Sequence, residues 1–236
     1  MDTIQSLWIG NTLSTMERLC MKSFLANGHP FNLYVYAPVL GVPEGVQVLD
    51  ANEILPREII KEFNYTAQFS DYFRYMLVYH MGGWWVDTDI VCLRPFDFKE
   101  DTVVSGADGC IHNSPFKAPE DSKWLGYALD RIDACRADWK KLDWAGLGGP
   151  LLSEAAKHHP VPVVNQYLFD PFQNSSGYQR YVQSDLVLPA DFDEMYSVHL
   201  HHAMWTLSLG GAPRLDPDAK YPDTSLYETL KRRYGL

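Results

Sequence analysis

The sequence has no apolar run approaching the roughly 18–20 residues that a membrane-spanning helix requires. Its first residues, MDTIQSLWIG, also lack the basic flank, apolar stretch and small-residue cleavage site of a secretory signal, so the expected address is cytoplasmic. Cysteine is scarce. Cys20, Cys92, Cys110 and Cys135 stand far apart with no CxxC pair, which argues against a disulfide scaffold or a zinc knuckle and leaves reduced thiols, mostly in the core. Basic residues are outnumbered, 20 against 30 acidic, for a formal charge of −10 and no cationic run. That balance has the wrong sign for wrapping a nucleic-acid backbone, and no nucleic acid is expected as a partner. The GxGxxG and P-loop patterns are missing, no Ser/His/Asp triad can be argued from order or spacing, and there is no internal repeat.

What is present is a well-provided core: 46% of residues are hydrophobic and 14% aromatic, far from the composition of a disordered chain. A length of 236 residues lies near the upper end of what one core supports, so residues 1–236 are expected to form a single domain. Short strand patterns at Gln5–Ile9, Phe31–Ala37 and Val46–Leu49 alternate with helix signals. Ser14 and Glu17 form a capping-box pattern opening a helix to about Asn27, and Asp50 with Glu53 suggests another. Strand and helix in alternation predict an α/β fold with a mostly parallel central sheet flanked by helices. Tyr65–Met81 is apolar on nearly all sides, as suits a helix buried between sheet and cleft, and Gly82–Gly83 stop it before a short buried strand, Trp84–Val86. Further on, a strand at Thr102–Ser105 and a helix over Ser122–Trp139 are predicted. The Gly146–Pro150 turn feeds a helix to Lys157, and Leu186–Leu188 and Tyr196–His201 look strand-like.

Asp87 and Asp89 follow the apolar GGWWV directly. Two acids one residue apart on extended backbone project to the same side, and at the end of a buried strand they make a compact all-oxygen site. Such a site suits a hard divalent ion, Mn²⁺ or Mg²⁺, with positions left for water and phosphate oxygens. The competing reading is a solvated turn around Thr88. Asp71 and Arg74, three apart on the preceding helix, share a face and form either a surface ion pair or a joint donor and acceptor set for a polyol.

The run FSDYFRYMLVYHMGGWWVDTDIVCLRPF, with S-D-x-x-R, G-G and D-x-D in order, resembles the metal-dependent glycosyltransferases of the GT-A fold. The likeness is greatest to the sugar-binding-region family (glycosyltransferase family 32) that holds capsular-polysaccharide transferases, initiating mannosyltransferases and α-1,4-galactosyltransferases. The glucosylating domains of large clostridial toxins show a related pattern. Weaker resemblances, in LWIG, IHNSPFKAPEDSKWL, GGPLLSEAA and LVLPADFDEMYSVHLHHAMW, extend it over roughly Ser6 to Trp205. The resemblance implies a GT-A, Rossmann-like fold, with residues 1–110 as the nucleotide-sugar half and 111–236 as the acceptor-side half carrying a C-terminal metal-site segment. It further implies transfer of a sugar from a nucleotide sugar, UDP favoured over GDP, to a hydroxyl of a glycan or lipid-linked saccharide with retention of configuration. A lipid-linked acceptor would bring the protein peripherally to the inner face of a membrane.

Residue by residue, the resemblance makes Asp89 a metal ligand and Asp87 a ligand that also reaches ribose or sugar hydroxyls. Asp71 and Arg74 would hold the donor sugar. Trp8, with the neighbouring Ile9, would meet the nucleobase, a platform any base can stack on, although Trp8 serves equally as core. His199, six residues before Trp205, would complete the metal site, with His201 and His202 as close rivals; Trp205 would contact the leaving phosphate through its indole N–H. Where relatives carry a small residue and Ser before that tryptophan, this chain has Ala203 and Met204. Asn113 matches an asparagine near the transferred sugar, or else forms a turn before Ser114 and Pro115. Gly148, Gly149 and Pro150 start a helix whose free N–H groups either face ligand or pack on the sheet. No side chain stands out as a nucleophile, which leaves a front-face mechanism in which the departing phosphate helps deprotonate the incoming hydroxyl. The alternatives are a noncatalytic nucleotide-sugar or glycan-binding protein, or a metal-dependent nucleotidyltransferase.

Overall fold

A computed structural model describes residues 1–107, 109–172, 175–206 and 214–236. Seven strands form the main sheet: β1 (Ile4–Trp8), β2 (Phe31–Val35), β3 (Val46–Asp50), β4 (Gly83–Trp85), β6 (Val103–Ala107), β7 (Cys110–Ala118) and β8 (Val163–Asn165). They lie in the order β3-β2-β1-β4-β7-β6-β8, and β7 alone runs against the rest. β5 (Ile90–Cys92) and β9 (Ser197–His199) pair antiparallel as a separate ribbon. The helices are α1 (Thr15–Ala26), α2 (Thr66–Met81), α3 (Lys123–Ala134), α4 (Gly149–His158), α5 (His202–Thr206) and α6 (Leu226–Arg233).

Both faces of the sheet are covered, which is why its strands are apolar on alternate residues in both directions. On β4, Trp84 enters a cluster with Cys20, Met21 and Phe24 of α1 and with Phe31 and Leu33 of β2. Trp85, one residue on, enters the opposite cluster with Phe69, Phe73 and Leu77 of α2 and with Trp124 and Leu152 of α3 and α4. Each tryptophan is essentially fully buried, a contribution of about 2–3 kcal/mol apiece by apolar transfer. A third cluster joins Val91 and Val198 of the ribbon to Trp205, Tyr227 and Leu230.

α1 opens on the expected capping box, with Glu17 accepting from the Ser14 N–H at 2.6 Å. α2 ends at Gly82, whose φ of 62° is available to glycine without the Cβ penalty. Several expectations need correction. Asp50 caps only a single 3₁₀ turn, Ala51–Glu53. The helix read over Ser122–Trp139 breaks at Ala134 into a 3₁₀ segment, Arg136–Lys141. Leu186–Leu188 is not a strand: Leu186 packs against the C-terminal cluster while Val187 is 80% exposed.

β7, the longest strand, runs through the stretch where Asn113 could have formed a turn. Its pairing with β6 jumps from Ile111↔Gly106 to Phe116↔Val104, so His112, Asn113, Ser114 and Pro115 face Ser105 alone. A bulge of this kind needs no ladder donor from proline, and it brings Ser114 to the Asp87 N–H just past β4 and Asn113 to Asp71 of α2. The parallel strands β1 and β4 diverge in connectivity at that same end: β1 leads outward to β2 and β3, and β4 lies on its other side. Open α/β sheets bind ligands outside the carboxyl ends of their strands at such a switch point. Trp8 and Asp87 stand there.

Candidate active site

The DxD segment leaves β4 tied down by its backbone. The Val86 N–H donates to Gln5 O at 3.1 Å, the Asp87 N–H to Ser114 Oγ at 2.8 Å, and the Ile90 N–H to Asp87 O at 3.2 Å. One carboxylate oxygen of Asp87 accepts from the Trp85 indole N–H at 3.0 Å and lies 3.2 Å from Arg74 Nη1. Asp89 is buried more deeply. Its Oδ2 accepts from the backbone N–H of His202 at 2.8 Å, and its Oδ1 lies 3.1 Å from His199 Nε2. The β5–β9 ribbon creates this last approach, because it sets His199 directly across from Ile90 and so beside Asp89. Burial alone would raise the Asp89 pKa, but the adjacent His199 imidazole and the His202 backbone N–H hold it well below the usual carboxylate range. Burial likewise opposes charge on His199, yet the Asp89 carboxylate overrides it and raises His199 to about 9.

Asp87, Asp89 and His199 present ligand atoms within 4.8 Å of one another. Asp89 Oδ1 is buried without a well-formed hydrogen bond, although an imidazole nitrogen lies nearby. Two carboxylates and one imidazole converging in this way fit a divalent cation.

The three histidines that the sequence sets side by side go to different partners. His201, at φ 57°, pairs with Asp170 at 3.2 Å and stacks on His199 with ring centroids 4.0 Å apart. His202 Nδ1 pairs with the fully buried Glu17 at 2.9 Å. Burial opposes charge on both rings; it prevails at His201, whose pKa is lowered, while the Glu17 bond raises that of His202. Asp170 and the second role of Glu17 escaped the sequence reading. No motif marks either one, and Glu17 looked complete as a helix cap.

Asp71 and Arg74 form the expected i,i+3 pair, at 3.2 Å and almost wholly buried rather than on the surface. Arg74 has its donors occupied by protein acceptors: Ser70 O and Oγ at 3.2 Å, Asn113 O at 2.8 Å, Asp71 and Asp87. The guanidinium also lies 5.0 Å from the centroid of the Trp85 ring. The Asn113 amide donates to Asp71 at 2.7 Å, and a Cβ at Gly148 would come within 3.5 Å of both side chains. Burial pushes the Asp71 carboxyl up to about 7 against the pull of Arg74.

Two cavities flank the DxD turn. The first, of about 230 Å³, is lined by Trp8, Ile9, Asp87, Thr88, Asp89 and His202. The second, of about 160 Å³, is lined by His112, Asn113, Gln166, Asp170, His199 and His201. Trp205 reaches neither. Its indole N–H, expected at the leaving phosphate, donates instead to Leu200 O at 2.7 Å, and the fully buried ring packs edge-on against Tyr227 and Tyr221. The donor is therefore spent inside the C-terminal cluster, and Trp205 supports the loop that carries the histidines.

Residues 20–107, which include Asp71, Arg74, Asp87 and Asp89, match the family described as glycosyltransferase sugar-binding region containing DXD motif. No curated protein matches the chain. Among solved structures, the PaToxG glycosyltransferase is similar in fold, with a TM-score of 0.55 over 98% of this chain and 83% of that one, at 16% identity. The family match over residues 20–107 and the shared fold over nearly the whole chain together support a GT-A-like glycosyltransferase.

Proposed function

We propose that the chain transfers a sugar from a nucleoside diphosphate sugar, UDP favoured over GDP, to a hydroxyl of a glycan or lipid-linked saccharide, with retention and with Mn²⁺ or Mg²⁺. The observation that carries this reading is the convergence of Asp87, Asp89 and His199 at the switch point of the sheet, beside a cleft with an indole on its wall. A bound divalent cation would supply charge stabilisation to the departing diphosphate. The protein's own part is positional. Ser114 and Arg74 hold Asp87, the β5–β9 ribbon holds His199 at Asp89, and Asp71 fixes the Asn113 amide beside the second cavity. Such prior fixing lowers the entropic cost of aligning donor and acceptor. Arg74, with its donors engaged, acts in this reading as a clamp on Asp71 and Asp87 rather than as a direct sugar ligand. Among the described residues no helix is long and apolar enough to cross a membrane.

The test is incubation of the protein with UDP- and GDP-sugars and Mn²⁺ in the absence of acceptor. The expected outcome is slow release of free sugar and intact nucleoside diphosphate, abolished in a folded Asp89→Ala variant. Release of the nucleoside monophosphate would show cleavage at the α-phosphate and favour nucleotidyl transfer. If no donor in the panel is hydrolysed or bound in a metal-dependent way, the enzyme reading fails.

A further inference from the structure

His199 belongs to two groups of ligand atoms. Asp87 and Asp89 complete one; Asp170 and His201 complete the other, and in that group too the ligand atoms lie within 4.8 Å of one another. The second group lines the cavity of about 160 Å³, to which His112 adds a third imidazole. Asp170 comes from the segment after β8 and His201 from the turn after β9, so residues remote in sequence are brought to one point.

His201 Nε2 and Asp170 Oδ2 lie 3.2 Å apart, on side chains only 15% and 8% exposed. A zinc ion with bonds of about 2.0–2.1 Å to tetrahedral ligands sets neighbouring ligand atoms about 3.3–3.4 Å apart, so this pair already has the spacing of two ligands on one ion. The backbone fixes both residues. The Asp170 N–H donates to Gln166 O at 2.9 Å, and the His201 carbonyl accepts from the Met204 N–H at 2.8 Å. Leu200, just before, is held by its N–H to Asp89 O at 2.9 Å and by the Trp205 indole at 2.7 Å. These bonds hold His201 at φ 57°, a left-handed conformation that a residue with a Cβ keeps only where its surroundings enforce it. The His199 and His201 rings, stacked with centroids 4.0 Å apart, part by about 1 Å when both meet one ion.

We infer that Asp170, His199 and His201 form a second cation position, one that takes Zn²⁺, and that its occupation withdraws His199 from Asp87 and Asp89. The donor set carries the choice of ion. Two imidazoles and one carboxylate, with a position left for water, make a zinc-type set, whereas two carboxylates and one imidazole are richer in the oxygen that Mn²⁺ and Mg²⁺ take. A neutral imidazole has a single acceptor nitrogen, so His199 serves one ion at a time. Zn²⁺ binding here needs no nucleotide. Only its effect on a complex of Mn²⁺ and nucleotide rests on the reading of the chain as a nucleotide-sugar transferase.

The test is Zn²⁺ titration without nucleotide, followed by calorimetry, for the wild type, a double Asp87→Asn and Asp89→Asn variant, His201→Gln and Asp170→Asn, with thermal melts to confirm folding. The amides replace the ligand while keeping a hydrogen-bonding group in place. The wild type binds one Zn²⁺, the double variant stays within about three-fold of it, and His201→Gln and Asp170→Asn each lose about ten-fold or more. Co²⁺, used as a coloured substitute, shows the visible bands of a four-coordinate ion in the wild type and the double variant and loses them in His201→Gln. In a second measurement, one equivalent of Zn²⁺ releases Mn²⁺ from the wild type with UDP, read by electron paramagnetic resonance, and releases less from His201→Gln. Zn²⁺ binding that the double variant loses and His201→Gln keeps would place the ion at the DxD carboxylates and overturn the second position, as would a folded wild type that binds no Zn²⁺. Simultaneous binding of Zn²⁺ and Mn²⁺ overturns the withdrawal of His199. Failure of the wild type to bind Mn²⁺ with UDP counts against the transferase reading, and the Zn²⁺ titrations still decide the second position.

Discussion

Replacing Arg74 with methionine keeps the stem that crosses the core and removes the guanidinium that lies among Asp71, Asp87 and the Asn113 carbonyl. Asp71 is then a buried carboxylate with only the Asn113 amide for compensation. Breaking a buried pair from one side costs about 3–5 kcal/mol, a large part of the stability of an ordinary domain. The cost depends on pH in a definite direction. In the intact protein the Asp71 carboxyl is pushed up to about 7, above the value of about 4 that it has in an unfolded chain. As pH rises from about 4 to 7 the folded state resists losing a proton that the unfolded state releases freely, so this group withdraws stability across that window. Without Arg74 the folded pKa moves higher and the window extends upward. The deficit of Arg74→Met relative to wild type is therefore largest near pH 8.5 and smallest near pH 5, where Asp71 is protonated in the variant. Urea unfolding at the two pH values measures both numbers, and Asp71→Asn added to Arg74→Met recovers part of the loss at pH 8.5. A deficit below about 1 kcal/mol at pH 8.5, or one of equal size at pH 5, refutes the assignment of Arg74 as the partner of a buried charge.

Two further outcomes follow from the hydrogen bonds. Ser114→Ala leaves the Asp87 N–H without its acceptor, which costs about 1–3 kcal/mol in urea unfolding and raises the donor KM more than it lowers kcat, because the loosened residue is a ligand-holding one. Trp205→Phe removes the bond to Leu200 and part of the ring, so it lowers stability by about 1–3 kcal/mol while donor hydrolysis at saturating Mn²⁺ falls less than ten-fold at a temperature where the variant is folded. A hundred-fold loss of hydrolysis at unchanged stability would return Trp205 to the leaving phosphate.

The first half of the fold was legible because its elements follow local rules. The Ser14–Glu17 box, the aromatic β2 strand and the apolar α2 stopped by Gly82 each carry their signal within one continuous local segment. β7 was hidden because its bulge places Asn-Ser-Pro inside a strand, where local chemistry signals a turn. α6 went unread, although it packs Tyr227 and Leu230 under Trp205. The site divides along the same line. Asp71, Arg74, Asp87 and Asp89 lie within 19 residues of sequence and could be read together. The fates of His199, His201 and His202 could not, because their partners Asp89, Asp170 and Glu17 come from three remote segments. Spacing offered a preference for His199, and only the β5–β9 pairing brings it to Asp89. The same long-range packing turns Trp205 inward, which no local pattern announces.

The central claim is that Asp87, Asp89 and His199 together hold a divalent cation for a nucleoside diphosphate. Electron paramagnetic resonance of Mn²⁺ titrated with the protein and UDP measures this directly. The account predicts that wild type with UDP removes one equivalent of Mn²⁺ from the free-ion signal beyond what UDP alone removes, that Asp89→Ala removes none beyond that control, and that His199→Gln binds more weakly with altered line shape. Full Mn²⁺ binding in a folded Asp89→Ala protein would contradict it.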